Sequence, residues 1–161
     1  MWEIIPIVDK NDEIICYKEQ SEVKPWDIKR ISCLLIENSK WEALIAKRSN
    51  TMKKRPWKWW SAAGWCVDKG ESYEDAMKRE AKEELWIEVK NYKDTSKVRY
   101  KMIFIQHFKA IMDIDIKELK LQTEEVDSVK RIKKEELYKQ SKENPDDFVP
   151  QLLEFIDEYV K

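Results

Sequence analysis

Glu3 to Asp9 and Glu13 to Lys18 read as two short strands, and the turn-rich Asp9-Lys10-Asn11-Asp12 between them predicts a β-hairpin. Arg30 to Glu37 is a mostly apolar strand centred on Cys33-Leu34-Leu35-Ile36; Asn38-Ser39-Lys40 and a strand from Glu42 to Lys47 follow. Lys47 to Lys58 reads as a loop crowded with Lys47, Arg48, Lys53, Lys54, Arg55 and Lys58. The period then changes. From Ser72 to Leu85, Met77, Ala81 and Leu85 recur at helical spacing, with Ser72 as a cap and Glu74 and Asp75 in the first turn. One long strand pattern covers Val98 to Ala110, and another covers Val126 to Ile132. Lys133 to Lys139 predicts a short helix, and Phe148 to Val160 a closing one, with Phe148, Leu152, Phe155, Ile156 and Tyr159 at amphipathic spacing. Strands mixed with helices in this order predict an α/β sandwich in one domain over residues 1–161.

Composition narrows the class. A chain of 161 residues and 19.5 kDa with 42% hydrophobic residues is large enough to bury a core. Lys and Arg number 31 against 32 Asp and Glu, a net charge of −1, which argues against a basic coat for a nucleic-acid polymer and against charge-driven membrane attachment. The apolar runs are too short to span a bilayer. Met1-Trp2-Glu3-Ile4-Ile5-Pro6 has neither a basic n-region nor a long apolar h-region, so no secretory signal is expected. Cys16, Cys33 and Cys66, an odd and scattered set, fit a reduced compartment. The expectation is a soluble cytoplasmic protein, with monomer and homodimer both open.

Candidate chemistry concentrates on the predicted helix. Glu80, Glu83 and Glu84 are three and four residues apart, so their carboxylates project from one side. Crowded acids repel unless a cation neutralises them, and Mg²⁺ is held by a few carboxylates together with substrate phosphates. Spacing alone also allows a solvated face with Glu–Lys pairs to Lys78 and Lys82.

The segment Trp65 to Ile87, WCVDKGESYEDAMKREAKEELWI, resembles the Nudix box, Gly-x5-Glu-x7-Arg-Glu-(aliphatic)-x-Glu-Glu-x-Gly-(aliphatic). Glu71, Arg79, Glu80, Glu83 and Glu84 fill all its charged positions, while both box glycines are tryptophan, Trp65 and Trp86. The resemblance implies a Nudix α/β/α sandwich with a mixed β-sheet between helices. It implies hydrolysis of a diphosphate linkage in a small molecule such as a nucleoside diphosphate joined to another moiety. Glu80, Glu83 and Glu84 would bind Mg²⁺, or Mn²⁺ in its place, and Glu71 and Arg79 would pair to fix the loop against the helix. A ligand carboxylate or a nearby acid would activate water; Glu124 and Glu125 are candidates.

Outside residues 65–87 the chain is similar to the Nudix branch related to type I isopentenyl-diphosphate isomerase. That similarity rests on Glu3 to Asp9 within the hairpin extension 1–25, Arg30, Leu44 to Ser49, Pro56 to Trp59, Glu124-Glu125-Val126 and Glu135-Glu136-Leu137. It implies that Arg48 and Lys53 or Lys54 grip a diphosphate, as a dianionic handle requires cations beside the metal. The isomerase places its proton-donating cysteine where Gly64 stands here, and a metal-binding histidine where Cys66 stands. Hydrolysis is therefore the reading preferred over isomerisation, with a non-catalytic Nudix-fold binding module as a third.

Glycine occurs twice, against roughly eleven expected from usage of about 7%, while tryptophan occurs eight times. Trp26, Trp41, Trp57, Trp60, Trp65 and Trp86 stand where the family places glycine, whereas Trp59 reads as a genuine tryptophan and Trp2 fits neither group clearly. The pattern fits a source that reads UGA as glycine, decoded with a table that reads it as tryptophan; a substituted or degenerate homologue is the alternative. UGA at those six codons supports the first, and UGG removes it.

Overall fold

Strand β3 (Ile28–Glu37) is the axis of the sheet, because its apolar run serves two cores at once. Successive strand residues point to opposite faces. Leu34 and Ile36 enter one cluster with Met77, Ala81 and Leu85 of helix α1 (Tyr73–Leu85). Cys33 and Leu35 enter the other, with Leu137, Leu152 and Ile156. These come from α2 (Lys134–Glu143), α3 (Pro150–Glu154) and α4 (Ile156–Val160). The computed structural model describes residues 3–160, apart from the side chain of residue 158, and Trp2 lies outside that range. None of its helices is long and apolar enough to cross a membrane.

The sheet has nine strands and is mixed, as expected of an α/β/α sandwich. Hairpin β1 (Ile4–Val8) and β2 (Ile14–Glu19) joins β3 through Ile7 and Val8. Strand β4 (Glu42–Arg48) pairs with β3 only at Ile36↔Leu44 and Glu37↔Ala43. Beyond those pairs β4 takes β5 (Trp59–Trp60), while β3 takes β6 (Ala63–Cys66). Strands β7 (Tyr92–Tyr100) and β8 (Ile103–Ile111) form a hairpin, and β8 runs parallel to β3 over nine residue pairs. Strand β9 (Val126–Lys133) closes the other edge against β4.

Three expectations change. The single long strand is two, because Lys101 turns the chain with a left-handed φ of 53° although no glycine marks the turn. The closing helix is broken at Phe155, and Phe148 lies before it in a bridge to Trp59. Helix α2 runs four residues past Lys139. Strands β5 and β6 follow the loop that ends at Lys58, in a stretch too short to show a strand pattern.

Helix α1 starts as predicted. Ser72 Oγ accepts the Asp75 N–H at 3.1 Å, and the Asp75 carboxylate accepts the Ser72 N–H at 3.1 Å, a reciprocal capping box. It ends on Trp86 at φ 59°, with the Ile87 N–H reaching the Ala81 carbonyl at 3.2 Å.

Trp41 (φ 62°) and Trp57 (φ 65°) share that left-handed geometry, and all three indoles are exposed. A side chain costs about 1–2 kcal/mol there. Lys134, Lys47 and Lys120 lie over the rings of Trp41, Trp57 and Trp86 and return part of it, about 0.5–1 kcal/mol each. The triple variant Trp41→Gly/Trp57→Gly/Trp86→Gly should therefore be more stable by about 2 kcal/mol, a rise in melting temperature of ~4–8 °C for a chain of this size. An unchanged or lowered melting temperature would show the tryptophans to be well accommodated. Trp60 differs: it is buried in the core, and removing it would open a cavity.

Candidate active site

The loop between β6 and α1 is held by Arg79. Its Nε and Nη2 donate to Glu71 Oε1 and Oε2 at 2.7 and 3.1 Å, and Nη2 also reaches the Cys66 carbonyl at 3.3 Å. Asp68 N–H donates to Glu71 Oε2 at 3.0 Å. Burial works to raise the Glu71 carboxyl, but the bonds from Arg79 and Asp68 hold it below its ordinary value. Arg79 also contacts Glu80 and lies 3.2 Å from Glu83 Oε2. Burial opposes its charge, yet Glu71 and Glu80 hold it protonated above the usual arginine range.

The helix acids are not a solvated Glu–Lys face. The lysine pair on α1 is Lys78 with Glu74, at 2.6 Å. Glu80 and Glu84 are 3% and 7% exposed, on the stripe that carries Ala76, Met77, Ala81 and Leu85 into the core. Burying carboxylates beside apolar side chains is costly unless a cation compensates. Burial pushes the Glu80 carboxyl up to about 8, against the pull of Arg79, and Glu125 and Glu83 push the same way. Glu84 lies well above the usual range through burial and the charges of Glu80 and Glu125, although the Gly64 N–H and Arg48 favour its anion. Glu83 is exposed.

The second acid arrives from the loop before β9. Gln122 N–H donates to the Glu84 carbonyl at 3.1 Å, and Ser49 N–H donates to the Glu125 carbonyl at 2.8 Å, so this loop bridges α1 and the end of β4. Glu125 is half-buried; burial and the charges of Glu3 and Glu83 raise its carboxyl against Arg48 and Arg79. Glu124 is exposed, and its carbonyl accepts Thr51 Oγ1 at 2.7 Å. Of the two candidates, Glu125 is the one brought to the acid cluster.

A cleft of about 1190 Å³ lies against Gly64, Trp65 and Cys66, the strand behind which the acids stand. Arg48 donates to the Lys54 carbonyl at 3.1 Å and lies 5.2 Å from the Trp65 ring centroid; burial lowers its pKa, and Glu84 and Glu125 raise it. Lys53 and Lys54 are exposed on the cleft's rim. Two contacts carry no signal in the sequence: the Gly64 N–H on Glu84, and Gln20, whose side-chain amide lies 3.8 Å from Cys66 Sγ. His107 is buried in β8 with its Nδ1 3.2 Å from Ser96 Oγ, packed against Phe155 rather than facing the acids.

Among the described residues no three acids, histidines or cysteines are gathered closely enough to close around a metal, and Arg79 takes up Glu80 and Glu83 instead. The donor chemistry nonetheless fits a hard divalent cation: oxygen ligands only, two of them carboxylates raised first by burial and then by neighbouring acids.

Residues 28–152 match the NUDIX domain family. The chain belongs to this family. It is 33% identical over 124 residues to the uncharacterised Nudix hydrolase lin0387 of Listeria innocua, covering 72% of this chain and 70% of that protein. Its fold matches DR0079 from Deinococcus radiodurans with a TM-score of 0.89, at 19% identity, over 99% of this chain and 100% of that one. It also matches a MutT protein from Methanosarcina mazei with a TM-score of 0.66, at 20% identity, over 82% and 92%. Nudix proteins are generally hydrolases that use divalent metal ions.

The isomerase-like branch finds no support in these relatives, and the site agrees. A Cβ at Gly64 would stand 2.9 Å from the Ser32 carbonyl oxygen and 3.0 Å from the Trp60 indole nitrogen, so the cysteine that isomerisation requires has no room. Burial raises the Cys66 thiol, so that residue is no ready substitute.

Proposed function

We propose that residues 1–161 form one Nudix hydrolase domain, with hairpin 1–25 as an extension, that cleaves the diphosphate linkage of a nucleoside diphosphate derivative in the cytoplasm. The observation that carries this reading is the pair of buried acids, Glu80 and Glu84, near Glu125, with Glu84 bonded to the N–H of Gly64, a residue that lines the cation-rich cleft. Glu80, Glu83 and Glu84 would hold Mg²⁺, or Mn²⁺ in its place, with Arg79 releasing the first two while keeping Glu71. When bound, the ion lowers the pKa of a coordinated water and offsets charge at the phosphorus. Arg48 and Lys53 or Lys54 would orient the diphosphate, and Glu125 would accept the water's proton; its carboxyl, raised by burial and by Glu3 and Glu83, supports that role. The water oxygen bonds to phosphorus, the bridging P–O bond breaks, and the leaving phosphate keeps the electron pair.

Hydrolysis of nucleotide sugars, dinucleotides and nucleoside triphosphates, measured with Mg²⁺ and with EDTA, tests the reaction. No EDTA-sensitive hydrolysis of any of them would overturn it.

Metal binding has a separate signature. Glu80 titrates near 8 in the folded chain against 4.5 for an ordinary glutamate, so the metal-free protein should lose stability as pH rises between those values. Mg²⁺ competes with that proton, so its stabilisation should grow over the same window. At a hundredfold excess over the dissociation constant it should reach about 2.7 kcal/mol. Thermal melts at pH 6 and 9, with Mg²⁺ and with EDTA, check this; a pH-independent Mg²⁺ effect would count against Glu80 as a ligand.

A further inference from the structure

The cleft is built where β3 and β4 splay apart. They pair only at their Ile36 and Leu44 end, and toward Lys29 and Arg48 the strands β6 and β5 stand between them. One arm carries Arg48, Lys53 and Lys54, which include the cations assigned above to the diphosphate, and Arg55, which donates to Gln151. The other carries Lys24, Lys29 and Lys101, which belong to three separate segments: the approach to β3, β3 itself, and the β7–β8 turn. They are not a sequence-local charge run but a cluster that only the fold assembles.

None of these three lysines forms a salt bridge among the described residues. The lining acids are Glu3 and Asp27, and Asp27 is already taken by Lys18 at 2.7 Å. Lys29 is half-buried and its side chain donates a hydrogen bond to the Cys66 sulfur, a contact that holds its ammonium in the cleft without neutralising its charge. Apolar and aromatic side chains, Ile31, Ile103, Ile105 and Trp60, floor the space between the arms. A chain with a net charge of −1 thus lines one cleft with seven cations and two acids. A scissile diphosphate and its metal use one arm and leave the other without an anion. Cations focused in a low-dielectric cleft select for anionic ligands, and lysine meets phosphate as a point charge.

We infer that Lys24, Lys29 and Lys101 bind a second phosphate carried by the substrate beyond the scissile linkage. This rests on the diphosphate-cleaving reading, and it narrows the substrate class to diphosphate compounds with a further phosphate on the moiety away from Arg48.

Matched pairs that differ by one phosphate test it: coenzyme A against 3′-dephospho-coenzyme A, and NADPH against NADH. Each is measured for Mg²⁺-dependent hydrolysis and, in EDTA, for binding by calorimetry. The phosphorylated member should be favoured about tenfold or more in at least one pair, in kcat/KM and in Kd, the scale of one or two charge-assisted hydrogen bonds. In Lys29→Gln/Lys101→Gln that ratio should fall to near one. Equal values within both pairs, or a preference that survives the double variant, overturns the inference. Inorganic phosphate distinguishes a free anion from a substrate-borne one: if it accelerates hydrolysis of the unphosphorylated members, the site serves free phosphate and the inference fails. Hydrolysis without preference overturns this inference alone; a binding preference without hydrolysis overturns the diphosphate-cleaving reading alone.

Discussion

Glu83→Gln should cut Mg²⁺-dependent hydrolysis by on the order of a hundredfold or more while leaving the fold intact. Glu83 suits this test because its side chain is 53% exposed, and its ion pair with Arg79 is of the surface kind worth about 0–1 kcal/mol. A lost carboxylate there removes charge from the proposed metal site and almost nothing from the core. Glu84→Gln gives the complementary result. Its carboxylate is buried among like charges, so neutralising it should raise the melting temperature of the metal-free chain while turnover falls. Steady-state rates and melts of both variants in Mg²⁺ and in EDTA check the pair. Full turnover in Glu83→Gln would remove it from the ligand set.

Asp12→Ala should destabilise the chain by about 3–5 kcal/mol, as expected when one partner of a buried ionic cluster is deleted. Asp12 is 7% exposed and accepts from Arg30 Nε at 2.7 Å, Lys97 Nζ at 2.8 Å and Tyr73 Oη at 3.0 Å. It thereby ties the β1–β2 turn to β3, α1 and β7, and its removal would leave Arg30 half-buried without its carboxylate. The φ of 66° at Asp12 adds to the loss, since aspartate tolerates left-handed backbone better than alanine. Burial raises the Asp12 carboxyl, but Lys97 and Arg30 more than offset this and its pKa lies below the ordinary value. The contribution is therefore complete above the unfolded pKa of about 3.9 and is lost as pH falls through the folded value. Urea titrations at pH 7 and pH 3 measure both effects. A difference between wild type and variant that stays constant down to pH 3 would show that the carboxylate charge is not what stabilises the turn.

The charged half of the site is legible in the residue order alone. Glu71, Arg79, Glu80, Glu83 and Glu84 lie within fourteen consecutive residues, and helix α1 sets the relative directions of the last four while Arg79 reaches back to Glu71 in the loop before it. Capping by Ser72 is legible for the same reason, since the Ser72–Asp75 contacts span only three positions. The choice between Glu124 and Glu125 is not. It depends on which way a loop turns after Gln122 is tied to the end of α1, and adjacent residues point apart. The tryptophans divide similarly. Composition and motif position single out six, but only the backbone distinguishes left-handed Trp41, Trp57 and Trp86 from Trp60 in the core.

The family box, the capped acidic helix, the apolar run of β3 and the scarcity of glycine are all readable from residue order. Each is a property of residues near one another along the chain, where helical and strand periodicities turn spacing into geometry. Tertiary structure alone decided which acids are buried and what shares their space. It set Lys109 and Lys134 on Glu37 at 2.6 Å each, from strands and helices far apart in sequence. It wedged β5 and β6 between β3 and β4, and so opened a cleft whose cations come from both arms. Strand pairing brings such residues together through backbone hydrogen bonds that every residue except proline can make on both its N–H and its carbonyl, so no local pattern records which partners meet.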